Sequence, residues 1–175
     1  MAYAVAHVII PMVIIDLYRD YIAKKKFPTW LVLFGGIAGL VPDSDIPLGW
    51  LLSLIEGHPV NEHRLITHSV IFVVFFLLCA ALCYMQRHKQ VRLWGQEIPY
   101  EYGAIFFTIV AFGWFTHLML DCFLAADGLL SWFPGVSLGF CTHSFSNDVL
   151  LGIDAIILIL WLIHEQWSHK IKDYI

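Results

Sequence analysis

The stretch from Leu65 to Met85 contains no Asp, Glu, Lys or Arg and is long enough to cross the hydrocarbon core of a bilayer. Tyr102 to Leu124 is of similar length and carries one acid, Asp121, near its far end. Three further apolar runs, Ala2 to Tyr18, Phe27 to Val41 and Val149 to Ile163, are shorter. In lipid every backbone N–H and C=O must be bonded within the protein. A small chain without strand-like alternation meets that demand only with helices. The expected fold class is therefore all-α. We read a polytopic membrane protein of about five transmembrane or half-buried helices, joined by interfacial loops and forming a single domain over residues 1–175.

Composition agrees. The chain is 59% hydrophobic and 14% charged, against about 45–50% and about 25% in soluble domains. A net charge of −4 gives no global basic field, which argues against a nucleic-acid partner. The basic residues are instead grouped, as topology signals are. Lys24-Lys25-Lys26, then Arg87, Lys89 and Arg92, then Lys170 and Lys172 fall at alternate ends of the apolar runs. Placing all three groups in the cytoplasm puts the N-terminus outside and the C-terminus inside. Met1 to Ile15 has no basic n-region, so it reads as a retained first helix and not as a signal peptide.

With that orientation two segments lie outside. Pro42 to Arg64 holds Asp43, Asp45, Glu56, His58, Glu62 and His63, plus an apolar piece from Ile46 to Ile55. Ala125 to Asn147 is rich in Gly and aromatic residues, including Trp132 and Phe133, which suit the headgroup level. The inner loop, Gln86 to Glu101, is polar and offers no identifiable chemistry. Cys79 and Cys83 lie one helical turn apart in an apolar run and read as small packing residues. Cys122 and Cys141 share the outer side. Spacing alone supplies no geometry for a bond between them, so pairing is the less favoured reading.

The residues able to ligate a metal gather on this outer side. Pro42-Asp43-Ser44-Asp45 ends the second apolar run, and Pro42 favours a turn there. Such a turn can aim both carboxylates at one cation; taken alone, it is also an ordinary solvated turn or cap. His63-Arg64-Leu65-Ile66-Thr67-His68-Ser69 opens the third run, with Arg64 either a clamp for phosphate or carboxylate or a headgroup contact. His117 and Asp121 stand four apart, on one helix face. A His and an Asp inside an apolar span are costly unless they face a polar interior, which makes them functional candidates; a structural His–Asp hydrogen bond is the plainer alternative. His7 alone would be a packing residue, but the topology sets it at the same depth. His143 and Asp148 form a weaker outer pair, and Asp154 is another intramembrane acid. His58 reads as a loop residue, while His88, His164 and His169 fall on the cytoplasmic side and are excluded. Imidazole suits Zn or Fe and carboxylate suits Mg or Mn, so a mixed set suits one or two divalent ions, Zn before Mn or Mg.

His7, Pro42-Asp43-x-Asp45, His63-Arg64-x-x-Thr67-His68-Ser69 and His117-x-x-x-Asp121 follow one another in the order and approximate spacing of the membrane-bound metal-dependent hydrolases, the YdjM-like inner-membrane family, which the chain resembles over roughly Met1 to Pro134. Leu65 stands where that family usually has Gly. The resemblance implies a multi-helix inner-membrane protein with a metal site and hydrolase activity. On this reading His7, Asp43, Asp45, His63, His68, His117 and Asp121 are the metal-site residues, and Asp43, Asp45, His63 and Arg64 carry the chemistry on a lipid-linked or membrane-proximal ester or phosphoester. A divalent-ion transporter or sensor using the same ligands is the alternative. A carrier is expected to show polar residues along a path through the membrane, whereas the cytoplasmic halves of these spans read as apolar.

Overall fold

The structure, a computed structural model, describes residues 4–58, 67–93, 96–124, 130–134, 136–138, 141 and 147–168. It is mostly helical. Helix α1 spans Ala4–Leu17 and ends in one π-helical turn, Tyr18–Ile22. Helix α2, Trp30–Leu40, passes through a 3-10 turn, Val41–Ser44, directly into α3, Asp45–Glu56. Helix α4 spans Val70–Met85, α5 spans Tyr100–Leu124 and α6 spans Asn147–Ser168. Among the described residues two helical runs are long and apolar enough to cross a membrane, Trp30–Glu56 and Tyr100–Leu124. α4 is a shorter apolar helix.

Two of the sequence expectations need correcting. The piece from Ile46 to Ile55, expected within a loop, is helix α3, continuous with the second apolar run. Pro42 sits at the start of the 3-10 turn, where a residue without an N–H is tolerated, and the chain continues into α3. The loops also contain strands. β1, Gln90–Leu93, pairs antiparallel with β2, Gln96–Pro99, and β3, Leu130–Phe133, pairs antiparallel with β4, Val136–Leu138. Each is too short for a periodicity of two to be read from sequence.

α5 is the central helix, packed against both α4 and α2, with α1 on α2 and α6 on α1. One buried cluster, Met12, Ile15, Phe27, Leu31, Val32 and Ile109, joins α1, α2 and α5. A second, Val73, Ala111, Trp114, Leu118, Cys122 and Leu130, joins α4, α5 and the β3–β4 hairpin. Lipid is as apolar as these side chains, so close backbone approach, more than hydrophobic burial, holds such helices together. Gly113 of α5 provides it: a Cβ there would stand 2.5 Å from the Gly35 carbonyl oxygen and 2.8 Å from the Ala38 Cβ. Gly39 does the same between α2 and α1, where a Cβ would run into the backbone oxygen of His7. Large apolar side chains cover the outside, among them Leu54, Ile55, Phe75, Leu78 and Ile159. Cys122 and Cys141 are disulfide-bonded, with Cα atoms 5.0 Å apart, against the preferred sequence reading. The β3–β4 hairpin lies between them in sequence and reverses the chain, a turn-back that spacing alone did not reveal.

Candidate metal centre

Four segments converge near the 3-10 turn. Trp114 donates through Nε1 to the Thr67 carbonyl at 3.0 Å, which ties the turn entering α4 to the middle of α5. This sets His68, just before α4, opposite His117, with ring centroids 5.0 Å apart. The close approach of Gly39 brings α1 in behind them, so the His7 ring lies 4.3 Å from that of His117. His7, His68 and His117 are all buried.

The hydrogen bonds orient both rings. His117 Nδ1 is 2.7 Å from the Gly39 carbonyl oxygen. A carbonyl only accepts, so Nδ1 carries the proton and Nε2 presents a lone pair. Thr67 Oγ1 donates to Asp45 Oδ2 at 2.9 Å and is 3.1 Å from His68 Nδ1. With its own proton committed to Asp45, the hydroxyl accepts from His68 Nδ1–H, and in neutral His68 the second lone pair is then on Nε2. The two Nε2 atoms are 3.1 Å apart. Two lone pairs facing each other repel unless something positive lies between them.

Two carboxylates complete the set. Asp43 Oδ1 is 3.3 Å from His68 Nε2 and 3.6 Å from His117 Nε2. Asp121 Oδ2 is 3.4 Å from His68 Nε2 and 3.6 Å from His117 Nε2. Ligands held at about 2.1 Å around a tetrahedral ion stand about 3.4 Å from one another. Five of the six separations among these atoms run from 3.1 to 3.6 Å and bracket that edge. Asp43, His68 and His117 form one group whose ligand atoms converge closely enough to hold an ion. The second oxygen of Asp121 lies 3.2 Å from His7 Nε2, and His7, His117 and Asp121 form an overlapping group that could hold an ion. The side chains of Asp43 and Asp121 are 19% and 16% exposed, against 5% or less for the three histidines, so the open side of the centre is its carboxylate side.

Asp43 and Asp45 do not aim at one point, as the sequence reading expected. They bracket the His68 ring: Asp43 faces Nε2, while Asp45 Oδ2 is 3.5 Å from Nδ1. The two nitrogens lie on opposite sides of the imidazole, so one ion cannot face both carboxylates. His63 and Arg64 lie outside the described residues, as do His143 and the side chain of Asp148. Asp154 of α6 is buried and accepts from the backbone N–H of Ala6, one of the N–H groups left free at the start of α1.

A second group escaped the sequence reading. Asp16 of α1 and His164 and Glu165 of α6 each bring a ligand atom within 4.8 Å of the others. The expectation that the lysine-bearing ends of the spans are apolar is therefore corrected at α1 and α6. Asp16 was legible as a charged residue inside an apolar run. Glu165 was not, because it lies beyond the last apolar residue of its segment.

The chain is a helical protein with two apolar runs long enough to cross a membrane and a buried His/Asp centre able to hold a cation. The model of the YdjM inner membrane protein family matches residues 1–173, and the chain belongs to that family. Neither the curated proteins nor the solved structures give a match.

Proposed function

We propose that this chain is a metal-dependent hydrolase of the inner membrane, working at the non-cytoplasmic face on a lipid-linked or membrane-proximal ester or phosphoester. The observation carrying this reading is the convergence of His68, His117 and Asp43 on one point, with Asp121, His117 and His7 forming an overlapping group beside it. In this reading His68, His117, Asp43 and Asp121 hold a divalent ion, Zn2+ before Mn2+ or Mg2+. Such an ion supplies Lewis-acid activation of water and of the scissile group. Asp45 holds the His68 ring through Nδ1, and His7 holds Asp121 or shares it with a second ion. His63 as a further base or ligand, and Arg64 as the clamp on the anionic group, rest on their place in sequence beside Thr67 and His68.

The orientation, N-terminus out across five spans, rests on the three basic clusters. The Cys122–Cys141 disulfide beside Asp121 supports it, because disulfides belong to oxidising compartments. The apolar exterior and the exposed Trp50, Trp132 and Phe133 suit a lipid surface and a lipid-like substrate.

Divalent-ion transport is the second reading. The Asp16, His164 and Glu165 group at the far end of α1 favours it, since polar groups are not confined to one end. One experiment separates the two readings. The purified protein, loaded with Zn2+ or Mn2+, is screened against phospholipid and phosphoester substrates, and in parallel is placed in liposomes for ion flux. We expect hydrolysis that falls by orders of magnitude in Asp43→Asn and His117→Ala and is unchanged in His88→Ala. Full activity in both site variants refutes the site. Flux without hydrolysis selects the transporter.

A further inference from the structure

We propose that the α1–α6 seam holds a second divalent-cation site, built from Asp16, His164 and Glu165 and separate from the centre described above. Three observations carry it. First, the ligand atoms already converge: one from each residue lies within 4.8 Å of the other two, and His164 Nδ1 is 3.2 Å from Glu165 Oε1. Ligands of one first-row ion stand about 3 to 4 Å apart, so a small contraction closes the set. Second, the two carboxylates come from different helices and are almost wholly enclosed, Asp16 at 1% and Glu165 at 0% exposure. Two enclosed carboxylates on different helices are ligands that one cation can bridge. Third, the imidazole is the open member, its side chain 32% exposed, which leaves a side for water or an incoming ion.

The site is distinct from the first. Asp16 stands nine residues beyond His7 on α1, roughly 13 Å along the helix by its rise. One imidazole with two carboxylates is a harder ligand set than the two-imidazole centre, and suits a divalent first-row cation with coordination positions left to water. Bound there, the ion would fasten α6 to α1.

The test uses the full chain in detergent micelles, stripped with a chelator, reloaded with Zn2+ and desalted, with metal per chain read by mass spectrometry. Wild type is expected to hold one ion more than Asp16→Asn/Glu165→Gln. Those replacements keep shape and most hydrogen bonding, and circular dichroism checks the helices. His117→Ala should leave the second ion in place, and adding Asp16→Asn/Glu165→Gln to it should remove that ion. If the first centre holds no metal, wild type keeps a single ion that responds to Glu165→Gln and not to His117→Ala, so failure of the hydrolase reading and failure of this one are told apart. Should the double carboxylate variant not fold, Co2+ absorption of the folded His164→Ala protein decides: loss of one set of visible bands supports the site. Zn2+ or Co2+ stoichiometry unchanged by these replacements overturns it.

Discussion

Replacing Asp45 by Asn should weaken the metal centre without abolishing it. Asp45 Oδ2 accepts from Thr67 Oγ1 at 2.9 Å and faces His68 Nδ1 at 3.5 Å, on the side of the ring away from the converging Nε2 atoms. Its charge favours the proton on Nδ1. An Asn keeps a hydrogen bond to Thr67 but offers His68 a neutral partner, and the alternative tautomer puts a proton on the nitrogen that should ligate. Partners behind a metal-binding imidazole are worth about 10- to 100-fold in affinity, or roughly 1.4 to 2.7 kcal/mol. Thr67→Val removes the hydroxyl that relays this contact and should fall at the lower end of the same range. Asp43→Asn and Asp121→Asn, whose oxygens lie 3.3 and 3.4 Å from His68 Nε2, should lose binding outright. Competition against a chelating dye, on detergent-solubilised protein at fixed pH, reads these affinities. Asp45→Asn as damaging as Asp43→Asn would make Asp45 a ligand, and wild-type affinity in Asp45→Asn would remove its role altogether.

Gly39→Ala pushes a methyl into the His7 carbonyl and displaces the oxygen that orients His117. It should cost about 1–3 kcal/mol in unfolding free energy and lower metal affinity too. Gly152→Ala, with nothing within 4 Å of the added carbon, should do neither; equal melting temperatures for the two variants would refute the close approach. Breaking Cys122–Cys141, a pair 19 residues apart, should destabilise by about 3 kcal/mol, read as a lower denaturant midpoint under reducing conditions and unaltered in a Cys122→Ala/Cys141→Ala protein. For orientation, an impermeant maleimide on intact cells should label Gly57→Cys and not Gln90→Cys in a chain lacking Cys79 and Cys83; the reverse pattern inverts the topology.

The apolar runs and the ends of them where the ligand residues gather were legible in the sequence because both are set along the chain. Run length against bilayer thickness placed α5, while α4 is shorter than the run that marked it and the second run, read as short, continues into α3; the four-residue spacing of His117 and Asp121 placed both on one face. Order along the chain also nominated His7, Asp43 and His68. What the sequence could not state was which nitrogen and which oxygen meet, because that depends on how closely helices approach. Gly39 brings α1 in and turns its own carbonyl to His117, and Thr67 with Trp114 fixes the rotation of the His68 segment. Those contacts moved Asp45 from the converging atoms to the back of His68, although it shares a turn with Asp43. Likewise Asp16 and Glu165 belong to opposite ends of the chain, and only the packing of α6 on α1 makes them neighbours. Periodicity and composition act within a segment, while a ligand set is a distance between segments, which only tertiary packing decides.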